Sequence, residues 1–190
     1  MGDKRLVQAA KEQKLAEDAL KTSLFGNWKA DTDNAAHHYS KAGELFKASK
    51  SFSQSKSCFI NAAKQYTASR VFFSVGKCYE QAAQCCRELK QPQECYELIE
   101  KAGYNYIQNG TNAAATQCLT KGAALISDTL PDEAVSLYVK AGDLEVDNDK
   151  LREAVNCYTG AMKVHAKSQQ YDKCLTLVKT LREVQRFHIF

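Results

Sequence analysis

The sequence contains no apolar run near the roughly 18 residues that a bilayer-spanning helix requires. Its polar opening, MGDKRLVQAAKEQK, has no apolar segment of the kind that a secretory signal needs. Both absences argue for a cytoplasmic protein. Gly2 is no myristoylation site, because Leu6 stands where that motif wants serine or threonine. Two prolines and nine glycines in 190 residues are too few for a turn-rich β-fold. No phosphate-cradling glycine loop, His-Glu-x-x-His or Gly-x-Ser-x-Gly occurs, which leaves nucleotide, zinc-hydrolase and serine-hydrolase chemistry without a motif. No Cys-x-x-Cys is present, and no histidine stands at metal-ligand spacing from a cysteine. No dense basic run argues for nucleic acid, and the net charge of +4 is mild. Neither a cofactor nor a metal is expected.

What the chain does hold is helix-forming composition: 44% apolar and 25% charged, rich in alanine, lysine, glutamine and glutamate. It also holds a repeat. A large side chain is followed three positions later by Ala or Gly at Tyr39/Ala42, Phe59/Ala62, Tyr79/Ala82, Ile99/Ala102, Leu119/Gly122, Tyr138/Ala141 and Tyr158/Ala161. The steps are 20, 20, 20, 20, 19 and 20 residues. Such a period fits one helix and a short turn. Positions i and i+3 share a helix face, where the small residue lets a neighbouring helix approach. Apolar stripes agree, for example Phe72, Val75, Tyr79, Ala82, Cys86 and Leu89. Pro92 and Pro131 suit first helical turns, and Gly110 a helix C-terminus. The map is nine helices, at 3–22, 32–49, 52–69, 71–89, 92–108, 112–127, 131–147, 150–167 and 169–186. The expected fold is all-α: antiparallel hairpins of about 40 residues in a right-handed, tetratricopeptide-like superhelix over 1–186, followed by a tail at 187–190.

The residues able to do chemistry have plainer explanations. The eight cysteines sit in amphipathic segments of a chain without an export signal and read as reduced and mostly buried. Cys85, Cys86 and His165 are the candidates for a thiol enzyme, and helix packing already accounts for them. His37 and His38 point about 100° apart on a helix, so one packs and one is solvated. Tyr39, Tyr79, Tyr138 and Tyr158 fill interhelical seams rather than form a ligand box. No catalysis is expected. Lys41, Lys101, Lys121, Lys140 and Lys163 recur with steps of 60, 20, 19 and 23, a candidate basic ridge for an acidic helical partner. Between the first two helices, KTSLFGNWKADTDNAA places Leu24, Phe25 and the only tryptophan, Trp28, outside the helical pattern and between Lys21 and Lys29. Such a tip can enter a lipid headgroup layer with its lysines facing anionic lipid, or Trp28 can fold back onto Ala35 and Tyr39.

Three stretches, ALKTSLFGNWKADTDNAAHHYSKAGELFKASKSF, YEQAAQCCRELKQPQECYELIEKAGYNYIQNGT and LPDEAVSLYVKAG with NDKLREAVNCY, carry an extended collinear resemblance. Up to about residue 186 the chain resembles the N-terminal part of the soluble NSF-attachment proteins, most of all their gamma form. The resemblance implies a twisted sheet of antiparallel helices and, in the family, a C-terminal helical bundle that has no counterpart here. It implies an adaptor in vesicle transport, including ER–Golgi traffic, that binds the SNARE four-helix bundle, with its syntaxin-type members, and recruits the ATPase NSF. Its partners would be that bundle and a membrane surface touched peripherally through Leu24, Phe25 and Trp28. Contact with NSF would be lost, since the region that engages it is missing. The alternative is a helical-repeat scaffold with no SNARE role.

Overall fold

The structure, a computed structural model, describes residues 2–21 and 31–187. Among the described residues it has nine helices and no strand: α1 (Gly2–Ala19), α2 (Thr32–Ala48), α3 (Phe52–Ala68), α4 (Phe72–Glu88), α5 (Pro92–Gln108), α6 (Asn112–Ile126), α7 (Pro131–Asp147), α8 (Leu151–Lys167) and α9 (Tyr171–Phe187). The chain divides into two compact units, Met1–Asn109 with α1 to α5 and Gly110–Phe190 with α6 to α9. Within each unit every helix packs against the one before it, as expected of hairpin repeats.

The large-x-x-small pairs build both cores. Twelve of their fourteen residues are buried, and Tyr79 and Tyr138 are half-buried. Where the neighbouring helix carries glycine, the ring takes the place of its missing side chain. A Cβ on Gly43 would lie 3.0 Å from the Phe59 ring, and one on Gly142 would lie 2.9 Å from the Tyr158 ring. This close approach is why a 20-residue unit needs small residues at a fixed offset.

The turns repeat as faithfully as the helices. Lys50, Arg70, Lys90, Asp149 and Gln169, like Gly110, have φ between 56° and 73°. In the five non-glycine turns the next N–H returns to a carbonyl five residues back, such as Ser51 to Phe46 at 2.9 Å and Gln170 to His165 at 2.9 Å. This is the Schellman closure, which satisfies carbonyls left open at a helix end. The 19-residue step has its cause here too. α6 has 15 residues where its neighbours have 17, and Ile126 O accepts from both Thr129 N and Leu130 N, so its turn closes without a left-handed residue.

A 40-residue period appears in the seams. Ser55 Oγ donates to Gly43 O at 2.8 Å, Cys95 Sγ to Ala83 O at 3.5 Å and Cys174 Sγ to Met162 O at 3.6 Å. Each donor is the fourth residue of an odd-numbered helix and reaches a carbonyl twelve residues back. A small S–H or O–H group therefore fills a site where a bulkier side chain would part the helices.

Two expected boundaries move. α1 stops at Ala19 rather than near 22, because Ala19 O accepts from Asp31 N at 3.1 Å and the helix cannot use it. α9 begins at Tyr171 rather than 169, because Gln169 is the left-handed turn residue. Pro92 and Pro131 occupy first turns, and Gly110 follows the C-cap Asn109, as the sequence implies.

Candidate functional site

The second unit carries an open groove of about 630 Å³ between α6 and α8. Its first wall is Thr116, Thr120 and Ala124 of α6 with the C-cap Ser127, one stripe at helical spacing. Its α8 wall runs from Glu153 and Asn156 past Gly160 to Lys163 and Lys167. Tyr138 of α7 forms the floor. Its ring lies against Gly160, where an added Cβ would come within 2.7 Å, so the glycine both seats the ring and keeps the wall low.

The groove is polar along its rim and charged at its ends. Glu153 and Lys163 are both exposed, and neither is held in a salt bridge among the described residues. Lys167 is committed: its Nζ lies 2.5 Å from Asp128 Oδ1. Thr120 Oγ1 donates to Thr116 O at 2.8 Å, whereas Thr116 Oγ1 has no hydrogen-bond partner among the described residues. Among the described residues no three His, Cys, Asp or Glu side chains stand together as a metal site.

The residues singled out for thiol chemistry, Cys85, Cys86 and His165, are all buried. Cys85 Sγ donates to Ser55 Oγ at 3.3 Å, and burial pushes the Cys86 thiol up to about 12. Burial likewise pushes Cys58, Cys95 and Cys157 up to about 11 and Cys78 to about 12. Thiols so shifted carry almost no thiolate at neutral pH and make poor nucleophiles. None of the eight is in a disulfide among the described residues, and seven are buried. His165, buried in the second unit, is paired through Nδ1 with Gln170 Oε1 at 2.7 Å across the α8–α9 turn. Of the tandem histidines, His38 is half-buried on Glu12 and His37 is exposed, as expected of one packed and one solvated ring.

The candidate ridge lysines are all exposed: Lys101 on α5 in the first unit, and Lys121, Lys140 and Lys163 on α6, α7 and α8 in the second. Only Lys163 lines the groove. Lys41 is spent on Glu12 at 2.7 Å. Of the apolar-loop residues, Leu24, Phe25, Trp28 and Lys29 lie outside the described residues. Lys21 is exposed and pairs with Asp18 at 2.6 Å, and the bond from Asp31 N to Ala19 O brings the two ends of that segment together. Among the described residues no helix is long and apolar enough to cross a membrane. Sequence reading put Tyr138 in a seam and missed Glu153 as a groove residue; the spacing of 153, 156, 160 and 163 on one stripe of α8 was the available signal.

Residues 2–184 match the family model described as "Soluble NSF attachment protein, SNAP". The chain is 30% identical over 158 residues to a gamma-soluble NSF attachment protein of Dictyostelium discoideum, covering 83% of this chain and 48% of that protein. A protein of the same name from Arabidopsis thaliana is 25% identical over 159 residues, covering 84% of this chain and 55% of its own length. The chain thus spans about half the length of the curated relatives it matches. In fold it is similar to the crystal structure of BtubC (BKLC) from P. vanneervenii, with a TM-score of 0.55 at 14% identity, covering 94% of this chain and 73% of that one.

Proposed function

This chain belongs to the soluble NSF attachment protein family, and on that premise we propose that it is a non-enzymatic adaptor of vesicle-mediated membrane fusion. It would hold an assembled SNARE four-helix bundle, syntaxin-type members included, for the ATPase NSF. The observation that carries this reading is the family match over residues 2–184, which takes in every helix of the fold but the end of α9. Exposed Lys101, Lys121, Lys140 and Lys163 supply cations for the acidic faces of such a bundle, where charge sets registration and on-rate more than affinity.

The test is retention. The chain is immobilised beside a full-length relative, and an assembled bundle is passed over both together with NSF in a non-hydrolysable nucleotide. Retention of the bundle by this chain, with NSF recruited only by the relative, is the expected result and assigns NSF contact to the part of the relatives this chain does not span. Retention of both by the relative and of neither by this chain overturns the reading. Lys121→Glu with Lys140→Glu should weaken bundle retention and flatten its salt dependence. An unchanged salt slope removes the lysines from the contact.

A second contact is proposed with membrane, through Leu24, Phe25 and Trp28, with Lys21 and Lys29 beside them. It is supported by the amphipathic chemistry of the segment and by the meeting of its two ends at Ala19 and Asp31. Removing two aromatic side chains from an apolar layer forfeits about 2 kcal/mol or more, roughly a thirtyfold loss of affinity. Phe25→Ser with Trp28→Ser should therefore lose anionic-liposome binding in a flotation assay and keep its melting temperature. A large drop in melting temperature would instead place Trp28 on Ala35 and Tyr39.

A further inference from the structure

We propose that the α6–α8 groove receives one face of a partner helix that carries opposite charges about three turns apart, a basic residue against Glu153 and an acidic one against Lys163. The inference rests on the reading of this chain as a binder of helical partners, and it adds the charge order that such a partner must present. Three features of the groove lead to it.

First, the walls are shaped for a helix. Both belong to helices of one unit, and Thr116, Thr120 and Ala124 on one side with Gly160 on the other keep them low enough for a third backbone to approach. The ring of Tyr138 beneath gives an apolar floor for the side chains in between.

Second, the charges are separated rather than mixed. Glu153 and Lys163 stand ten residues apart on α8, about 15 Å at the helical rise, and both are exposed without a salt bridge among the described residues. Lys167, by contrast, is paired with Asp128. On a partner helix running along the groove, residues about eleven positions apart share a face and span a similar length. Like charges at those two positions would leave one end repelled, which is how a surface rejects wrong partners.

Third, the Glu153 end has an unmet hydrogen bond. Thr116 Oγ1 is buried with no partner among the described residues, and Asn156 stands on the opposite wall. Rotation about the Thr116 χ1 would turn that hydroxyl to a polar side chain of the partner next to its basic residue.

The probes are three alanine-rich helical peptides of about twenty residues, long enough to hold helical structure and to span the groove. They bear, about eleven positions apart, a lysine and a glutamate, two lysines, or two glutamates. Titrated against the intact protein by fluorescence anisotropy, the mixed-charge peptide should bind about tenfold tighter than either like-charged one. Glu153→Lys should shift the preference to the two-glutamate peptide, and Lys163→Glu to the two-lysine peptide. Both side chains are exposed, so the variants should melt as the parent does. Equal affinities for the three peptides, no binding at millimolar concentration, or no switch in the variants overturns the proposal. Equally tight binding of a mixed-charge peptide broken by a central proline also overturns it and assigns the groove to an extended segment. The bundle experiment fails separately: charge-ordered peptide binding without bundle retention removes the SNARE partner and leaves the groove's selectivity, whereas bundle retention without peptide selectivity does the reverse.

Discussion

Tyr158→Ala is expected to destabilise the second unit by about 4 kcal/mol, in the range for removing a fully buried aromatic side chain. Tyr158 is 2% exposed, and its ring fills the space over Gly142 on α7. Its hydroxyl donates to Asp143 Oδ1 at 2.5 Å, and burial, with that carboxylate beside it, pushes the phenol well above its ordinary value. Three losses therefore coincide: apolar transfer, a cavity at a helix–helix seam, and a charge-assisted hydrogen bond. For a chain of 190 residues such a loss corresponds to a fall in melting temperature of roughly 8–16 °C. Tyr158→Phe separates the terms, since it keeps the ring and should cost only about 1.5 kcal/mol for the bond to Asp143. Differential scanning calorimetry of the two variants decides the matter. A Tyr158→Ala protein that melts within about 2 °C of the parent would mean that this ring does not hold α7 to α8. The neighbouring pair should behave differently. Tyr138 is half-buried at the groove floor, so a side chain added at Gly160 can push that ring toward solvent, whereas one added at Gly142 meets a ring with nowhere to go.

Removing both partners of Glu12 is the second large effect expected. Glu12 lies on α1 with 6% of its surface exposed. Its two oxygens accept from α2: Oε1 from Lys41 Nζ and Oε2 from His38 Nδ1, each at 2.7 Å. The remaining α1 contacts are small: Ala9 and Ala16 are buried, Leu6 is partly so, Gln13 Oε1 accepts from Cys58 Sγ at 3.8 Å, and Val7 and Leu15 are exposed; Leu20, just past the helix, is partly buried. Docking of this helix therefore leans on the carboxylate. His38→Leu with Lys41→Met leaves that carboxylate nearly buried and unpaired, at about 3 kcal/mol. Replacing all three, with Glu12→Leu added, should recover most of the loss, because no charge is then left without a partner. If the triple variant is no more stable than the double, the pairing is incidental and α1 is held by shape alone.

The acid limb of stability gives an independent reading. The hydrogen bond from Lys41 is the largest influence on Glu12 and holds its carboxyl below the ordinary 4.5, with His38 adding to it and burial opposing both. A depressed carboxyl contributes stability that is fully present above 4.5 and is lost as pH falls through the lowered native value. The stability difference between parent and Glu12→Leu should accordingly be flat at neutral pH and shift only below about 4.5. A difference that changes in the neutral range would overturn the assignment of this contact to the Glu12 carboxylate.

Much of this architecture could be read before any coordinate. A spacing of 20 residues between large-x-x-small pairs specifies helices that return on themselves, because each apolar stripe is too narrow to bury itself except against a neighbour. Pro92, Pro131 and Gly110 mark helix ends by covalent constraint, and all three stand where that constraint requires. The other turns were less legible. Lys50, Arg70, Lys90, Asp149 and Gln169 adopt left-handed conformations that their side chains disfavour, and they do so because the Schellman bonds and the packed helices on either side hold them there. The twelve-residue donor contacts of Ser55, Cys95 and Cys174 were hidden for a similar reason: a cysteine in an apolar stripe looks like any small core residue until its acceptor is known.

The sequence by itself determined that this protein is a helical repeat with free cysteines, and its extended likeness placed it in a family; these are properties of period, composition and order along the chain. Only the tertiary structure decided which surface residues act together. Lys41 and Lys163 are equivalent in a list of lysines, yet one pairs with a buried carboxylate and the other lines a groove without a salt bridge among the described residues. Glu153 and Thr116, 37 positions apart, become opposite walls of one site. The physical reason is range. Helical periodicity is set by bonds and contacts within a few residues, whereas a groove exists only where two helices distant in sequence diverge over the side chain of a third.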